Sequence, residues 1–269
     1  MRFWERHSSN SESKIASLIM LNCHESPIIR HNIRKTKSCK FSCKFTSEIV
    51  PIPSPITATM TATNPDQRLH FPATARNREP IADVLQQWLP NGGTILEIAS
   101  GSGEHAVAFQ QKFSHLRWQA SDPDPQHRDS INAWIRYTEQ SSTMPQALDI
   151  DVAQQPWPLP KDVQPCLSAI VCINLLHISS KNCTEALLQQ AAERLPPNAP
   201  LMIYGPFKRD GVHTSPSNES FDASLRDRNP KWGVRDIEWI KSLITTLPLM
   251  LMECISMPAN NQMLILIHE

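Results

Sequence analysis

The chain has 269 residues with 26 Lys and Arg against 26 Asp and Glu, long enough for one sizeable core and too balanced in charge to demand nucleic acid as an obligatory partner. The balance hides an asymmetry: residues 1–59 carry nine basic and four acidic side chains, leaving 17 basic and 22 acidic for the remainder. No apolar run approaches the roughly 20 residues that span a bilayer, and seven cysteines, several in apolar segments, point to reduced thiols in a cytoplasmic protein rather than a disulfide framework.

Residues 1–59 lack a hydrophobic period, are rich in Ser, Lys and Arg, and end in the proline-spaced Val50-Pro-Ile-Pro-Ser-Pro-Ile56. That is the texture of a disordered leader and linker. Two origins stay open. One is organellar targeting, against which four glutamates and the lack of an amphipathic helix count; the other is translation that begins at Met60. Cys39 and Cys43, with His24 and His31 upstream, lack the spacing of zinc ligands, so no metal is expected. The folded domain is expected over residues 60–269.

The texture changes at Arg76. Ile81, Val84, Leu85 and Trp88 share one face of a helix over residues 77–89, with Pro80 in its first turn and Pro90-Asn-Gly-Gly93 as its stop. Residues 94–98 read as a buried parallel strand that breaks at Gly101 and Gly103 and continues into a helix over residues 104–113. Such a junction offers free backbone N–H groups and a positive dipole end, and the glycines remove the Cβ atoms that would hold a ligand away. A nucleotide-like ligand is expected there. Residues 116–122 form a second strand ending at Asp122, and Pro123-Asp-Pro125 opens a helix with Ile131, Trp134 and Ile135 on its apolar stripe.

Residues 147–152 read as a third strand with Asp149 near its end, and residues 167–177 as a buried strand with Asn174 and His177 at its C-terminal end. A helix over residues 184–195 and a strand over residues 200–205 follow. Residues 247–257 and 262–268, joined by Pro258-Ala-Asn-Asn261, look like an antiparallel pair. This alternation predicts a doubly wound, mostly parallel α/β sheet with an antiparallel C-terminal hairpin, whose ligand crevice lies beyond the C-terminal strand ends. Gly101, Gly103, Asp122, Asp149, Asn174, His177 and Tyr204 converge on that crevice.

Gly101, Gly103 and Ala106 also fit a dinucleotide fingerprint, with Asp122 placed to hold a ribose. Three features point away from it: Glu97 inside the first strand, a further acidic position at Asp149, and the terminal hairpin in place of a second mononucleotide-binding half. The run Glu97-Ile-Ala99-Ser-Gly101-Ser-Gly103 resembles the first motif of class I S-adenosylmethionine-dependent methyltransferases, with alanine replacing the usual first glycine. The resemblance implies a Rossmann-like fold and S-adenosylmethionine as cofactor. Ala99, Ser100, Gly101 and Gly103 would lie along its aminocarboxypropyl arm and ribose, and Glu97 would orient the loop or the amino group. Asp122 would accept from the ribose hydroxyls, Asp149 and Ile150 would border the adenine, and Asn174 would complete the set. Further runs, among them Arg76-Asn-Arg-Glu-Pro-Ile81, Cys172-Ile-Asn-Leu-Leu-His-Ile-Ser179, Tyr204-Gly-Pro-Phe207, Asp210-Gly-Val-His213 and Met257-Pro-Ala-Asn-Asn261, are similar to the family that includes methyltransferase-like protein 26. That family has no established substrate.

Residues 205–236 are too polar for core. Ser215 and Pro216 can cap a short helix on which Asp222 and Arg226 fall at i and i+4. Two readings stay open, a salt-bridged surface helix and a lid whose arginines meet a carboxylate or phosphate. His177, Tyr204, His213 and Asp222 are the candidates for substrate contact or proton removal. Asn77, Arg78, Phe207, Asn218, Arg226, Arg228 and Trp232 are the remaining substrate candidates. The function expected is methyl transfer to a small-molecule acceptor. The alternatives are a non-catalytic S-adenosylmethionine-binding protein and, third, a nicotinamide oxidoreductase.

Overall fold

The computed structural model describes residues 66–269; the leader, the Met60 start and the Cys39 to Cys43 region lie outside them. The first helix, α1 (Pro72–Trp88), begins with Pro72, whose missing N–H costs nothing in a first turn. Pro80, expected in that first turn, instead stands inside the helix. The helix therefore forgoes one internal hydrogen bond and is held by its buried face of Asn77, Ile81, Val84 and Leu85.

A regular alternation follows: β1 (Thr94–Ile98), α2 (Glu104–Lys112), β2 (Arg117–Ala120), α3 (Pro125–Tyr137), β3 (Leu167–Ile173), α4 (Lys181–Arg194) and β4 (Pro200–Gly205). After β4 the chain forms short β5 (Phe207–Arg209) and β6 (Val212–His213), helix α5 (Pro216–Arg228), β7 (Arg235–Asp236) and α6 (Ile237–Ile244). It ends in the expected hairpin of β8 (Leu249–Met257) and β9 (Asn261–His268). The main sheet runs β2-β1-β3-β4-β9-β8; its first four strands are parallel, and β9 and β8 are antiparallel to their neighbours. This is the doubly wound architecture the alternation predicts. The edge strand β8 carries a bulge between Leu251 and Glu253.

Two expected elements differ. Residues 147–152 contribute only a bridge from Leu148 to Ser121, not a strand. Leu148 is tied to β2 by Leu148 N–H to Ala120 O and Asp122 N–H to Leu148 O, both 3.0 Å, but Asp151 then turns the chain by accepting from Ala153 N–H at 2.9 Å. The strand expected over residues 167–177 stops at Ile173, because Asn174 adopts φ +60° and residues 176–178 form a 3-10 turn that carries His177.

The period of 2 along each strand sends side chains to two separate cores. Leu96, Ile98, Ile170, Cys172, Leu201, Ile203, Leu264 and Leu266 pack with α4 and α6 on one face. Ile95, Ala169, Val171, Met202, Tyr204, Met263 and Ile265 pack with α1, α2 and α3 on the other. The Cys166, Cys172, Cys183 and Cys254 thiols are free, and among the described residues no helix is long and apolar enough to cross a membrane.

The β1–α2 loop sets opposite demands on two residues. Gly103 has φ +89°, and a β-carbon there would stand 2.7 Å from Ile131 Cα in α3. Ala99 has φ +56°, a conformation glycine adopts freely. Gly103→Ala should therefore lower stability by about 3 kcal/mol, and Ala99→Gly should raise it by up to about 1 kcal/mol; urea denaturation of both variants beside the wild type checks the two signs.

Candidate functional site

The C-terminal ends of β1, β2, β3 and β4 meet at one side of the sheet, and the loop from β1 to α2 is built there. Ser100 N–H donates to Ser121 O at 2.8 Å, and the Ser121 hydroxyl donates to Glu97 O at 2.7 Å, so the loop is stitched to the end of β2. Asp122, 4% exposed, completes the stitching. Its Oδ2 accepts from Gly101 N–H at 2.9 Å, and its Oδ1 accepts from Asp124 N–H at 3.0 Å and lies 3.1 Å from His127 Nδ1. A carboxylate has roughly four acceptor positions. These bonds use three, which leaves one on Oδ2, beside the glycine loop.

Glu97 points the other way, into the core on the α1–α3 face. Its Oε2 accepts from the Trp118 indole N–H at 2.8 Å, and its backbone carbonyl accepts from the Ser100 and Ser121 hydroxyls. Burial pushes its carboxyl up to about 7 against the pull of the Trp118 hydrogen bond. Asp149 is exposed and pairs with Arg128 Nη1 at 3.1 Å, while the neighbouring Ile150 is fully buried in the core.

Around the ends of β3 and β4 lies a wall of uncharged polar groups. Tyr204 is buried beside Asn77 of α1 and Asn261 of β9; burial raises its phenol above the usual range although both amides favour the ionised form. His105 of α2 is 2.9 Å from Asn77 Oδ1, and burial pushes its imidazole down to about 4. His177 is likewise pushed down to about 4, by burial and then by Arg235 and Arg228. Its ring packs edge-on against Phe221 of α5 at 5.5 Å. Both imidazoles are therefore neutral at pH 7. Asn174, in its left-handed conformation, donates its N–H to Tyr204 O at 2.9 Å.

The segment after β4 folds around Asp222, also 4% exposed. Its carboxylate accepts from Val234 N–H at 2.7 Å and faces Lys208 Nζ at 3.1 Å, Arg226 Nε at 3.2 Å and His213 Nε2 at 3.3 Å. Burial alone would raise its pKa, but the Val234 amide, Lys208 and Arg226 outweigh it and hold the carboxyl below the usual range. Ser215 caps α5 by accepting from Asn218 N–H, and Asp222 and Arg226 form the expected i,i+4 pair. Asn218 ties α5 to the hairpin through Asn260 O at 2.9 Å. Arg228 and Trp232 lie on the outer side with the guanidinium 5.8 Å from the indole ring, and Arg78 pairs with neighbouring Glu79 in the open. Phe207 is 1% exposed and belongs to the core beside Ile237 and Ile240.

Glu97, Asp122, Gly101, Gly103, Asn174, Tyr204, His177 and Asn77 are thus brought to one end of the sheet, whereas Asp149, Arg78, Arg228 and Trp232 face outward and Phe207 and Ile150 are core. Sequence reasoning missed His105, His127, Asn261 and Phe71, all at the same end. Asn261 fell in a motif already singled out and His105 ends the strand, glycine loop and helix start over residues 94–105; Phe71 and His127 carry no signal of their own. Among the described residues no group of three or more His, Cys, Asp or Glu is placed to hold a metal ion. Surface depressions of about 490 and 380 Å3 lie elsewhere, the first at the N-terminal ends of β1 and β2 around Gly93 and Arg117, the second beside α6 and β8.

Residues 68–268 match the model of a family described as a protein of unknown function, DUF938. The chain belongs to this family. The chain has the fold of solved methyltransferases. An O-methyltransferase family protein from Burkholderia thailandensis superposes with a TM-score of 0.60 at 16% identity, over 73% of this chain and 57% of that one. An O-methyltransferase family 2 protein from Planctomyces limnophilus, in complex with apigenin, gives 0.60 at 20% identity over 73% and 58%. The geranyl diphosphate C-methyltransferase of Streptomyces coelicolor, in complex with Mg2+, geranyl diphosphate and S-adenosyl-L-homocysteine, gives 0.56 at 9% identity over 72% and 82%. The DUF938 chain therefore spans well under two thirds of the first two.

Two consequences follow for charge. Glu97 has a folded pKa of about 7 against 4.5 when exposed, so the stability it allows is full below pH 4.5 and is lost as pH rises through 7. Glu97→Gln, which still accepts from Trp118, should match the wild type near pH 4.5 and exceed it by up to ~3 kcal/mol at pH 8 in urea titrations. Asp222→Asn leaves Lys208 and Arg226 without their anion and should destabilise the segment over residues 207–236 by about 2–3 kcal/mol, seen as faster hydrogen exchange there than in β1 or β3.

Proposed function

We propose that this protein is an S-adenosylmethionine-dependent methyltransferase with a small-molecule acceptor. The observation that carries the reading is Asp122: a buried carboxylate at the end of β2 that fixes Gly101 of the loop and keeps one acceptor position free for a ribose hydroxyl. The methyltransferase fold, and the likeness of the motifs to the methyltransferase-like protein 26 family, support it. When bound, the cofactor supplies a methyl group on a positively charged sulfur. Ala99, Ser100, Gly101 and Gly103 would line its arm, Asp122 its ribose, and Asn174 the side towards β3, with exposed Asp149 and only the backbone of buried Ile150 at the adenine end and Glu97 fixing the loop from beneath. The free thiols fit a cytoplasmic setting.

The chemistry of this wall supports a positioning role towards the acceptor. His105 and His177 are neutral and weakly basic, and Tyr204 keeps its proton, so these groups orient an acceptor and exclude water rather than strip a high-pKa proton from it. Asp222 is committed to Lys208, His213 and Arg226 and serves to hold a lid in which Asn218, Arg226, Arg228 and Trp232 offer contacts at the rim. Methyl transfer to an acceptor that is already nucleophilic needs little more than this positioning.

Calorimetry with S-adenosylmethionine, S-adenosylhomocysteine and NAD tests the cofactor. The two methionine-derived ligands should bind and NAD should not; Asp122→Ala should weaken their binding at least about tenfold. Binding of NAD alone would overturn the reading. A labelled-methyl screen against a metabolite extract then separates an enzyme from a protein that binds the cofactor without turnover.

A further inference from the structure

Residues 66–71 run along α3 from its last residue, Tyr137, back to Ser130 and reach the N-terminal end of α2 at Glu104, and their path is bonded to both helices. Leu69 N–H donates to Ser130 Oγ at 2.8 Å, the Trp134 indole N–H donates to Leu69 O at 3.0 Å, and Phe71 N–H donates to Glu104 Oε2 at 2.8 Å. Arg68 lies over the rings of Tyr137 and Trp134, with its guanidinium carbon 3.5 and 4.8 Å from their centres. The same anchors reach the glycine loop. Glu104 Oε2 also accepts from the Ser102 hydroxyl at 2.9 Å, and Ser130 Oγ donates to Ser102 O at 2.6 Å.

What these bonds present is the Phe71 ring. Its Cε2 is 3.0 Å from where a β-carbon on Gly101 would stand. It packs edge-on against His127 with ring centres 5.7 Å apart, and His127 is bonded to Asp122. An apolar residue preceding a helix N-cap often packs on that helix's own first turn, and Phe71 is itself the N-cap of α1. Here the ring lies instead over the loop of the next helix, and it remains 40% exposed, an apolar face held in place without entering either core. The ring stands over the residue expected to meet the cofactor's arm and next to the one expected to meet its ribose.

We infer that residues 66–71 form a strap that holds Phe71 against the bound cofactor, covering the glycine loop. The inference rests on the cofactor reading above and adds to it a binding residue outside the β1–α2 motif. Strap and loop meet on one carboxylate, Glu104 Oε2, which accepts from both Phe71 N–H and the Ser102 hydroxyl.

The test is calorimetry with S-adenosylhomocysteine on the full chain for the wild type, Phe71→Ala and Glu104→Gln, together with trypsin cleavage after Arg68 followed by mass spectrometry with and without that ligand. Phe71→Ala should bind at least about tenfold more weakly, Glu104→Gln should weaken binding in the same direction, and ligand should slow cleavage after Arg68 several-fold in the wild type. If Phe71→Ala does not fold, Glu104→Gln and the wild-type cleavage decide. Wild-type binding with unchanged affinity in the variants, or with no protection at Arg68, overturns the strap and leaves the cofactor reading standing. Failure of the wild type to bind at all overturns both.

Discussion

Helices α2 and α3 touch at Gly103, where a β-carbon would stand 2.7 Å from the Ile131 backbone, and the end of the sheet that carries the β1–α2 loop depends on that closeness. With the helices in contact, the loop before α2 lies against the end of β2, and Asp122 can reach Gly101 from one side while Ser130 reaches Ser102 from the other. A larger residue at position 103 would separate the helices and pull these bonds apart together. The loop's geometry is thus a product of helix packing as much as of its own turn conformation.

Charge is partitioned in this molecule. The groups around the ends of β3 and β4 are uncharged at neutral pH, because burial keeps His105 and His177 unprotonated and Tyr204 protonated. Lys208 and Arg226 gather one layer out, on Asp222, while the buried Arg235 guanidinium, held by Gly233 O and Ser179 O, acts on His177 and helps to keep it neutral. A positively charged sulfur brought against the glycine loop would meet carbonyl and amide dipoles, and the nearby Asp122 carboxylate has the complementary sign.

Much of this was legible in the sequence, and the gaps have physical causes. Long apolar runs over β1, β3, β4 and β9 are strands because nothing else buries such residues on two faces. Residues 147–152 alternate apolar and acidic side chains as a strand can, yet the side chain of Asp151 captures the backbone and a turn prevails over the ladder. Pro80 read as a helix start since proline favours first turns; Pro72 held that place, eight residues earlier, before the apolar stripe begins. Strands β5, β6 and β7 are two or three residues long and too short to carry a period. In the site, Gly101, Asp122 and Tyr204 stood out because strand ends predict convergence. Phe71, His105 and His127 sit on helix ends or beside them, and their closeness exists only once α1, α2 and α3 are packed. Asp222 and Arg226 were visible as a pair, but Lys208, His213 and the Val234 amide join them through tertiary contacts that spacing does not encode.

The bulge in β8 bears on solubility. That strand is nine residues long, forms one margin of the six-stranded sheet, and exposes Met250 and Met252, so its outer row of amides would template an incoming strand from another molecule if it were flat. The extra residue between Leu251 and Glu253 breaks the spacing of that row midway, and Glu253 places a charge at the break. Neither half of the strand then offers a regular run long enough to nucleate a growing cross-β stack.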